Sequence, residues 1–176
     1  RNGGVSSGAA TKDALAFDER AQTLLYSGGD IRMTQPGFAK EHVERYRASN
    51  GADGHIWTGF DGTGNFPCLL LTTTGRKSGE AGTTPLIYGE DGGEYMIIAS
   101  QGGRPAHPGW YFNILEDASV ELQVEADVFA GVARTANAEE RARLWPMMAD
   151  IYPPYDAYQE KAAATREIPL VILTRA

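Results

Sequence analysis

Residues 68–74 read Cys-Leu-Leu-Leu-Thr-Thr-Thr, a continuous apolar and β-branched run that ends at a turn containing Gly75 and Gly79. A short run of this composition, bounded by glycine, is typical of a strand that is buried on both faces. Five further stretches have the apolar or alternating pattern expected of strands. These stretches are residues 83–88, 94–100, 120–125, 128–132 and 168–174.

Short turns connect two pairs of these strands. Asp-Gly-Gly at 91–93 joins the second strand to the third, and Ala-Asp at 126–127 joins the fourth to the fifth. Such turns leave no room for a crossover helix, so the strands that they join must run antiparallel. The sequence therefore predicts an α+β protein built on a mainly antiparallel sheet that closes, or nearly closes, into a β-barrel with flanking helices.

Helices are predicted from apolar spacing and capping signals. The candidate helices are residues 14–25, 38–48, 107–115 and a segment that begins after the N-cap Asn137 and continues through Met148. Residues 50–65 are rich in glycine and are predicted to form a loop. We expect residues 38–176 to form a single domain, and residues 1–37 to be a flexible or helical extension.

Composition narrows the functional classes. The chain of 176 residues suffices for one domain, and its net charge of −7 argues against a general nucleic-acid binder. Its single cysteine, Cys68, excludes an intrachain disulfide and favours a reducing compartment. No apolar run is long enough for a transmembrane helix. The expected location is the cytoplasm, with peripheral attachment to a membrane left open, and the expected partner is a small molecule.

The turn after the first predicted strand carries two cations and a hydroxyl. Arg76, Lys77 and Ser78 lie between two glycines, and backbone N–H groups in such a turn suit an anion such as phosphate. A solvated basic turn explains the same residues equally well. The turn is not a P-loop, because Leu70 stands where that motif requires glycine.

Three other segments are candidate parts of a binding site. Residues 98–101 end a strand before two glycines, which lets a ligand approach the backbone, although a simple turn needs the same residues. Residues 107–113 are dense in aromatic side chains that suit either a flat ligand or the core. Tyr152, Tyr155 and Tyr158 recur every third residue, and they form either a buried seam or the wall of a pocket.

Other kinds of active site are poorly supported. The three histidines His42, His55 and His107 are isolated, and no Cys, His and carboxylate cluster has the spacing of a metal site. Neither the nucleophile motif G-x-S-x-G nor a dinucleotide-binding G-x-G-x-x-G that follows a strand is present. We therefore predict no metal site, no hydrolase triad and no Rossmann nicotinamide site.

Taken together and in order, these segments resemble the deazaflavin-dependent nitroreductase family. The resemblance extends from about Glu41 to the end of the sequence. It rests on residues 69–79, 84–86, 99–100, 102–103, Pro108, Trp110, Tyr111, Asn113, Tyr152, Pro153, Tyr155, Tyr158 and residues 166–169. It implies a split β-barrel that binds coenzyme F-420, an 8-hydroxy-5-deazaflavin. The implied reaction is hydride transfer from the reduced cofactor to a small organic acceptor, namely an activated alkene, a quinone or a nitro compound.

The resemblance also implies roles for individual residues. Tyr152, Tyr155 and Tyr158 are expected on the substrate wall. Among them, Tyr152 and Tyr155 are candidate catalytic residues together with Ser100, because a hydroxyl donates to negative charge that develops on the acceptor. Tyr152 is expected to matter most, because the prolines that follow it fix its backbone. The expected cofactor contacts are Arg76, Lys77, Ser78, Ile98, Ala99, Ser100, Gln101, Trp110, Tyr111 and Asn113.

Two positions depart from the family pattern. Gly82 stands where a basic residue is common, and Gln101 stands where some members have lysine. Loss of cations weakens the binding of an anionic cofactor, so two alternatives stay open: a non-catalytic carrier of a flavin-like or lipid-like ligand, and an FMN-binding split-barrel relative. A homodimer also stays open.

Overall fold

The computed structural model describes residues 36–176, so the helix predicted at residues 14–25 lies outside the described part. The helices are α1 (Pro36–Ala48), α2 (Gly109–Glu116), α3 (Ala138–Ile151) and α4 (Pro154–Ala162), and a 3-10 turn spans Gln101–Gly103. The strands are β1 (Ile56–Trp57), β2 (Phe66–Thr74), β3 (Ala81–Asp91), β4 (Glu94–Ile98), β5 (Ser119–Val124), β6 (Asp127–Thr135) and β7 (Leu170–Arg175).

The strands form one sheet in the order β1-β2-β3-β4-β7-β6-β5, and an additional pairing of β2 with β5 closes it into a six-stranded barrel. All pairs are antiparallel, so the predicted fold is confirmed. Two elements were not predicted. The strand β1 lies in the glycine-rich segment that was expected to be a loop throughout, and α4 follows Pro153.

The strands that were predicted from continuous apolar runs are buried on both faces. In β2, Leu69 and Leu71 point into the barrel and contact its interior core, whereas Cys68 belongs to a second core on the outer side. The same division holds in β7, where Val171 lies in the inner core and Ile172 in the outer one. The outer core is formed with α3 and α4, so the continuous apolar runs reflect the helices that cover these strands.

Buried and exposed residues alternate along β5 and β6 because no helix covers the outer face of these strands in the described part of the chain. Val120, Leu122 and Phe129 fill the barrel, whereas Val128 and Val132 are exposed on the opposite face of β6. Alternation of this kind is the pattern of a sheet with one face in water. Within residues 36–176, no helix is long and apolar enough to cross a membrane.

The start of helix α3 and its close packing on the sheet both follow from particular residues. The Asn137 side chain accepts from the N–H of Glu140, and the Glu140 carboxylate accepts from the N–H of Asn137, which completes a capping box. The helix then crosses β3 at Gly89, where a Cβ atom would lie 2.7 Å from the sulfur of Met148. Glycine at this position therefore lets α3 approach the sheet closely.

The helix α1 is fastened to the barrel by Tyr46, which is fully buried. Its hydroxyl donates to the carbonyl of Cys68 at 2.9 Å and accepts from the N–H of Glu125 at 2.8 Å. Burial raises the pKa of Tyr46 to about 12, so the hydroxyl keeps its proton at neutral pH. One side chain thus joins α1, β2 and the turn between β5 and β6.

We expect Tyr46→Phe to lower the free energy of unfolding by about 1–3 kcal/mol, because it leaves a buried N–H and a buried carbonyl without their partner. Urea unfolding monitored by tryptophan fluorescence measures this change. Tyr88→Phe is the matched control, since Tyr88 is a half-buried tyrosine whose hydroxyl has no hydrogen-bond partner within residues 36–176. Its effect should stay within about 0.5 kcal/mol. Equal losses in the two variants would contradict the assignment.

Candidate functional site

A cavity of about 280 Å³ lies where the barrel meets its helices. Its walls come from β3, the end of β4, the start of α2 and the junction of α3 with α4, and α1 and β1 complete it. None of the described residues that line it is Asp, Glu, Lys, Arg or His. The lining residues are Phe38, Ala39, Trp57, Thr84, Pro85, Leu86, Ile87, Ile98, Ser100, Gln101, Gly102, Pro108, Gly109, Trp110, Tyr152, Tyr155 and Tyr158.

The end of β4 supplies the polar groups of one wall. Ser100 has helical backbone angles, whereas Gln101 has a φ of 45° in the left-handed region that favours glycine. The Oε1 atom of Gln101 is buried and has no hydrogen-bond partner in the described part of the chain. An unpaired buried acceptor is costly, so the Gln101 side chain, which also contributes to the cavity lining, is a candidate ligand contact.

Side chains from the C-terminal part of the chain hold this strand end from behind. Arg166 donates to the carbonyls of Ala99, Ser100 and Arg104 at 3.1, 2.7 and 2.9 Å. Lys161 donates to the carbonyl of Gly102 at 3.2 Å. The wall is therefore fixed by cations that do not themselves line the cavity.

The three tyrosines form the opposite wall. Tyr152 ends α3, and Tyr155 and Tyr158 follow on α4. The hydroxyls of Tyr152 and Tyr158 are 3.4 Å apart, and the ring centroids of Tyr152 and Tyr155 are 5.0 Å apart. The Tyr155 hydroxyl has no partner within residues 36–176, and burial raises its pKa, so it remains a protonated donor.

The basic turn lies beside the cavity and docks on α2. The Arg76 guanidinium donates to the side-chain oxygen of Asn113 at 3.2 Å and lies 5.0 Å from the ring centre of Phe112. It also reaches the carbonyl of Gly109, a residue of the cavity lining, at 3.4 Å. Lys77 is exposed, so the turn presents positive charge next to the mouth of the cavity.

The structure gathers most of the candidate residues, but not all, in the cavity lining. The candidates in the lining are Ile98, Ser100, Gln101, Trp110, Tyr152, Tyr155 and Tyr158. Arg76, Lys77, Ser78 and Asn113 belong to the adjacent turn and helix. Ala99 and Tyr111 lie in the barrel core, where the Tyr111 hydroxyl is 2.9 Å from that of Thr135.

Sequence reasoning missed the apolar part of the lining. Trp57 on β1 and Phe38 on α1 contribute to it: Trp57 lies in the segment predicted to be a loop, and the helical spacing that includes Phe38 predicted a helix but not a place in a cavity. The segment Thr84-Pro85-Leu86 contributes from β3, and its place in the family pattern was the one signal that pointed to it. Long-range packing brings these residues to the cavity, so no local pattern marks them.

Comparisons with known proteins give the family. Residues 38–175 match the model of the family described as F420H(2)-dependent quinone reductase. A quinone reductase of this description from Mycobacterium tuberculosis is 39% identical over 137 residues, which cover 76% of this chain and 87% of that protein. The chain therefore belongs to the F420H(2)-dependent quinone reductase family.

Solved structures agree with this assignment. An F420-H2-dependent reductase is 42% identical, with a TM-score of 0.56 over 61% of this chain and 93% of that one. A second structure, described as a domain-swapped dimer, is 35% identical, with a TM-score of 0.59 over 76% of this chain and 92% of that one. The predicted family, barrel fold, enzyme class and deazaflavin cofactor are confirmed.

The site also makes a prediction about pH. Because a guanidinium only donates, the Nδ1 atom of His107 accepts from Arg166 at 2.9 Å, and His107 is neutral. Its pKa is lowered, first by burial and then by the Arg166 charge. The unfolded chain therefore takes up this proton before the folded chain as the pH falls.

We expect the free energy of unfolding to decrease as the pH is lowered from about 6.5, the ordinary histidine pKa, toward about 5. His107→Gln should make that decrease smaller, because the titrating group is gone. The buried His42, whose pKa is also lowered by burial, supplies the remainder. Urea unfolding at a series of pH values tests this, and identical pH profiles for the variant and the wild type would contradict it.

Proposed function

We propose that this chain transfers a hydride from reduced coenzyme F-420 to a small acceptor bound against the tyrosine wall, with quinones as the first candidates and activated alkenes and nitro compounds next. The supporting observation is one largely apolar cavity that both Gln101 and Tyr155 line. Neither the side-chain oxygen of Gln101 nor the hydroxyl of Tyr155 has a hydrogen-bond partner within residues 36–176.

The cavity fits the ring of a deazaflavin better than the whole cofactor. Its volume of about 280 Å³ is near the lower end of the roughly 300–1,000 Å³ that ligand cavities span. A flat ring would lie between the strand end at Ser100 and Gln101 and the side chain of Trp110. The anionic tail would then follow the turn that carries Arg76 and Lys77, where α2 begins without a side-chain cap.

The chain itself supplies orientation, exclusion of water and hydrogen-bond donors. The cofactor supplies the hydride when it is bound, so the site needs no acid–base pair of its own. The apolar lining keeps the cavity dry, which strengthens the remaining polar interactions. Tyr155 and Ser100 donate to the acceptor oxygen or nitrogen as negative charge develops there. The proposal favours Tyr155 over Tyr152, because the Tyr152 hydroxyl is shared with Tyr158.

The test is a mixture of the purified full chain, reduced coenzyme F-420 and menadione, followed at the absorbance band of the oxidised deazaflavin. Oxidation faster than in an enzyme-free blank is expected. Tight cofactor binding without turnover of quinone, nitroaromatic or activated-alkene acceptors would identify a carrier instead. Failure to bind coenzyme F-420 while binding FMN would contradict the cofactor assignment for this site.

Tyr155→Phe should lower kcat about tenfold, the loss expected when one donor to developing charge is removed. The ring stays in place, so the cofactor dissociation constant, measured by fluorescence titration, should change less than about twofold. Tyr95→Phe is the control, since Tyr95 is a half-buried tyrosine of β4 that packs against the barrel core. Full activity of Tyr155→Phe toward all three acceptor classes would remove this residue from the mechanism.

We also propose that the protein associates as a homodimer. The 35% identical relative is described as a domain-swapped dimer, and the exposed Val128 and Val132 on β6 offer an apolar contact. The molar mass measured by light scattering after size-exclusion chromatography should be twice that of the chain. Val132→Lys should shift it toward the monomer, and a monomeric wild type at all concentrations would contradict the proposal.

A further inference from the structure

The segment that follows β4 is held by a single side chain, Arg166. All three guanidinium nitrogens are used: Nη1 donates to the carbonyl of Ala99, Nη2 to that of Ser100, and Nε to that of Arg104. Nη1 also donates to the ring of His107. Arg166 is half-buried and does not line the cavity, whereas Ser100 and Gln101 do.

Because peptide groups are planar, these contacts also fix the direction of the N–H groups on the opposite side of the segment. In a trans peptide, the carbonyl of one residue and the N–H of the next point in opposite directions. Because Arg166 holds the carbonyls of Ala99 and Ser100, the N–H groups of Ser100 and Gln101 point away from it. Within residues 36–176, neither N–H has a hydrogen-bond acceptor.

The backbone of the segment after β4 does not adopt this conformation without support from the rest of the structure. Gln101 has a left-handed backbone, which is strained for a residue other than glycine, and such a conformation persists only where its surroundings enforce it. Arg166 enforces it from one side. Gly103 enforces it from the other, since a Cβ there would lie 2.7 Å from the backbone oxygen of Tyr158. The direction of the two N–H groups is therefore set by tertiary contacts, and Arg166 makes more of these contacts than any other side chain described above.

We propose that Arg166 is a positioning residue that keeps the N–H groups of Ser100 and Gln101 aimed into the cavity, where they donate to the negatively charged edge of the bound deazaflavin ring. This inference rests on the proposed function. An ionised 8-hydroxy-5-deazaflavin spreads its charge over the conjugated ring, and backbone donors stabilise such charge without reorganising. These backbone donors take over the role of the lysine that some family members have at the position of Gln101.

The test compares two arginines that hold backbone carbonyls of the same region. Arg166→Met removes the hydrogen bonds to the three carbonyls and to the ring of His107. Arg141→Met is the matched control: Arg141 donates to the carbonyl of Ile168 at 3.1 Å and packs 4.2 Å from the ring centre of Trp145, but it does not contact the segment after β4. Both variants should lose thermal stability. Measurements are made well below either melting temperature.

Two readouts that do not depend on turnover separate positioning from stability. Fluorescence titration should show about tenfold weaker binding of the oxidised cofactor to Arg166→Met, and less than about twofold change in Arg141→Met. Absorbance titration should show the bound cofactor ionising about one pH unit higher in Arg166→Met, because the anion has lost its donors. Neither shift is expected from a side chain that only stabilises the fold.

Arg166→Lys is the second variant if Arg166→Met does not fold. Lysine keeps the charge, but one ammonium group does not span three carbonyls, so weaker binding and the higher ionisation pH should persist. Wild-type affinity and ionisation pH in every folded Arg166 variant would overturn the inference and leave the proposed function intact. A wild-type chain that does not bind coenzyme F-420 would overturn both.

Discussion

The pairing of β2 with β5 is the constraint on which the rest of the structure depends. Leu70, Leu71 and Thr72 pair with Gln123, Leu122 and Glu121, and this short ladder turns an open sheet into a closed barrel. Closure removes the free edges that an open sheet would expose. It also creates an interior that one face of each strand fills together with side chains of α2, whereas α3 and α4 pack on the outside.

The position of the cavity follows from that closure. Helices α3 and α4 cover the outer faces of β2, β4 and β7, and the cavity lies where this cover meets the end of β4 and the start of α2. A site built between two cores is rigid on both sides, because each wall is anchored in packed side chains. Ser100 and Gln101 thus project from a strand end whose preceding residues are buried in both cores.

Under the proposed function, the residues of the cavity orient ligands while the cofactor supplies the hydride. Its described lining holds no ionised side chain, and its polar side chains carry phenols, aliphatic hydroxyls and one amide. Such groups orient ligands and stabilise developing charge without exchanging protons at neutral pH, which suits hydride transfer by a deazaflavin. The charged side chains lie outside the cavity lining. Arg166 and Lys161 hold the segment after β4 from behind, and Arg76 and Lys77 lie beside the mouth of the cavity.

The sequence by itself determined the antiparallel class, the family and part of the lining of one cavity, because hairpin turns, strand periodicity and ordered motifs are local signals. It did not determine β1 or α4, because their formation depends on contacts outside their own segments. Nor did it separate Tyr111 from Trp110: both lie in the barrel core, but only Trp110 also lines the cavity, and local sequence does not show what packs against each of them. The contacts of Arg166 were decided by tertiary structure alone: more than 60 residues separate it from Ala99 and Ser100, and only the folded chain brings its guanidinium to their carbonyls.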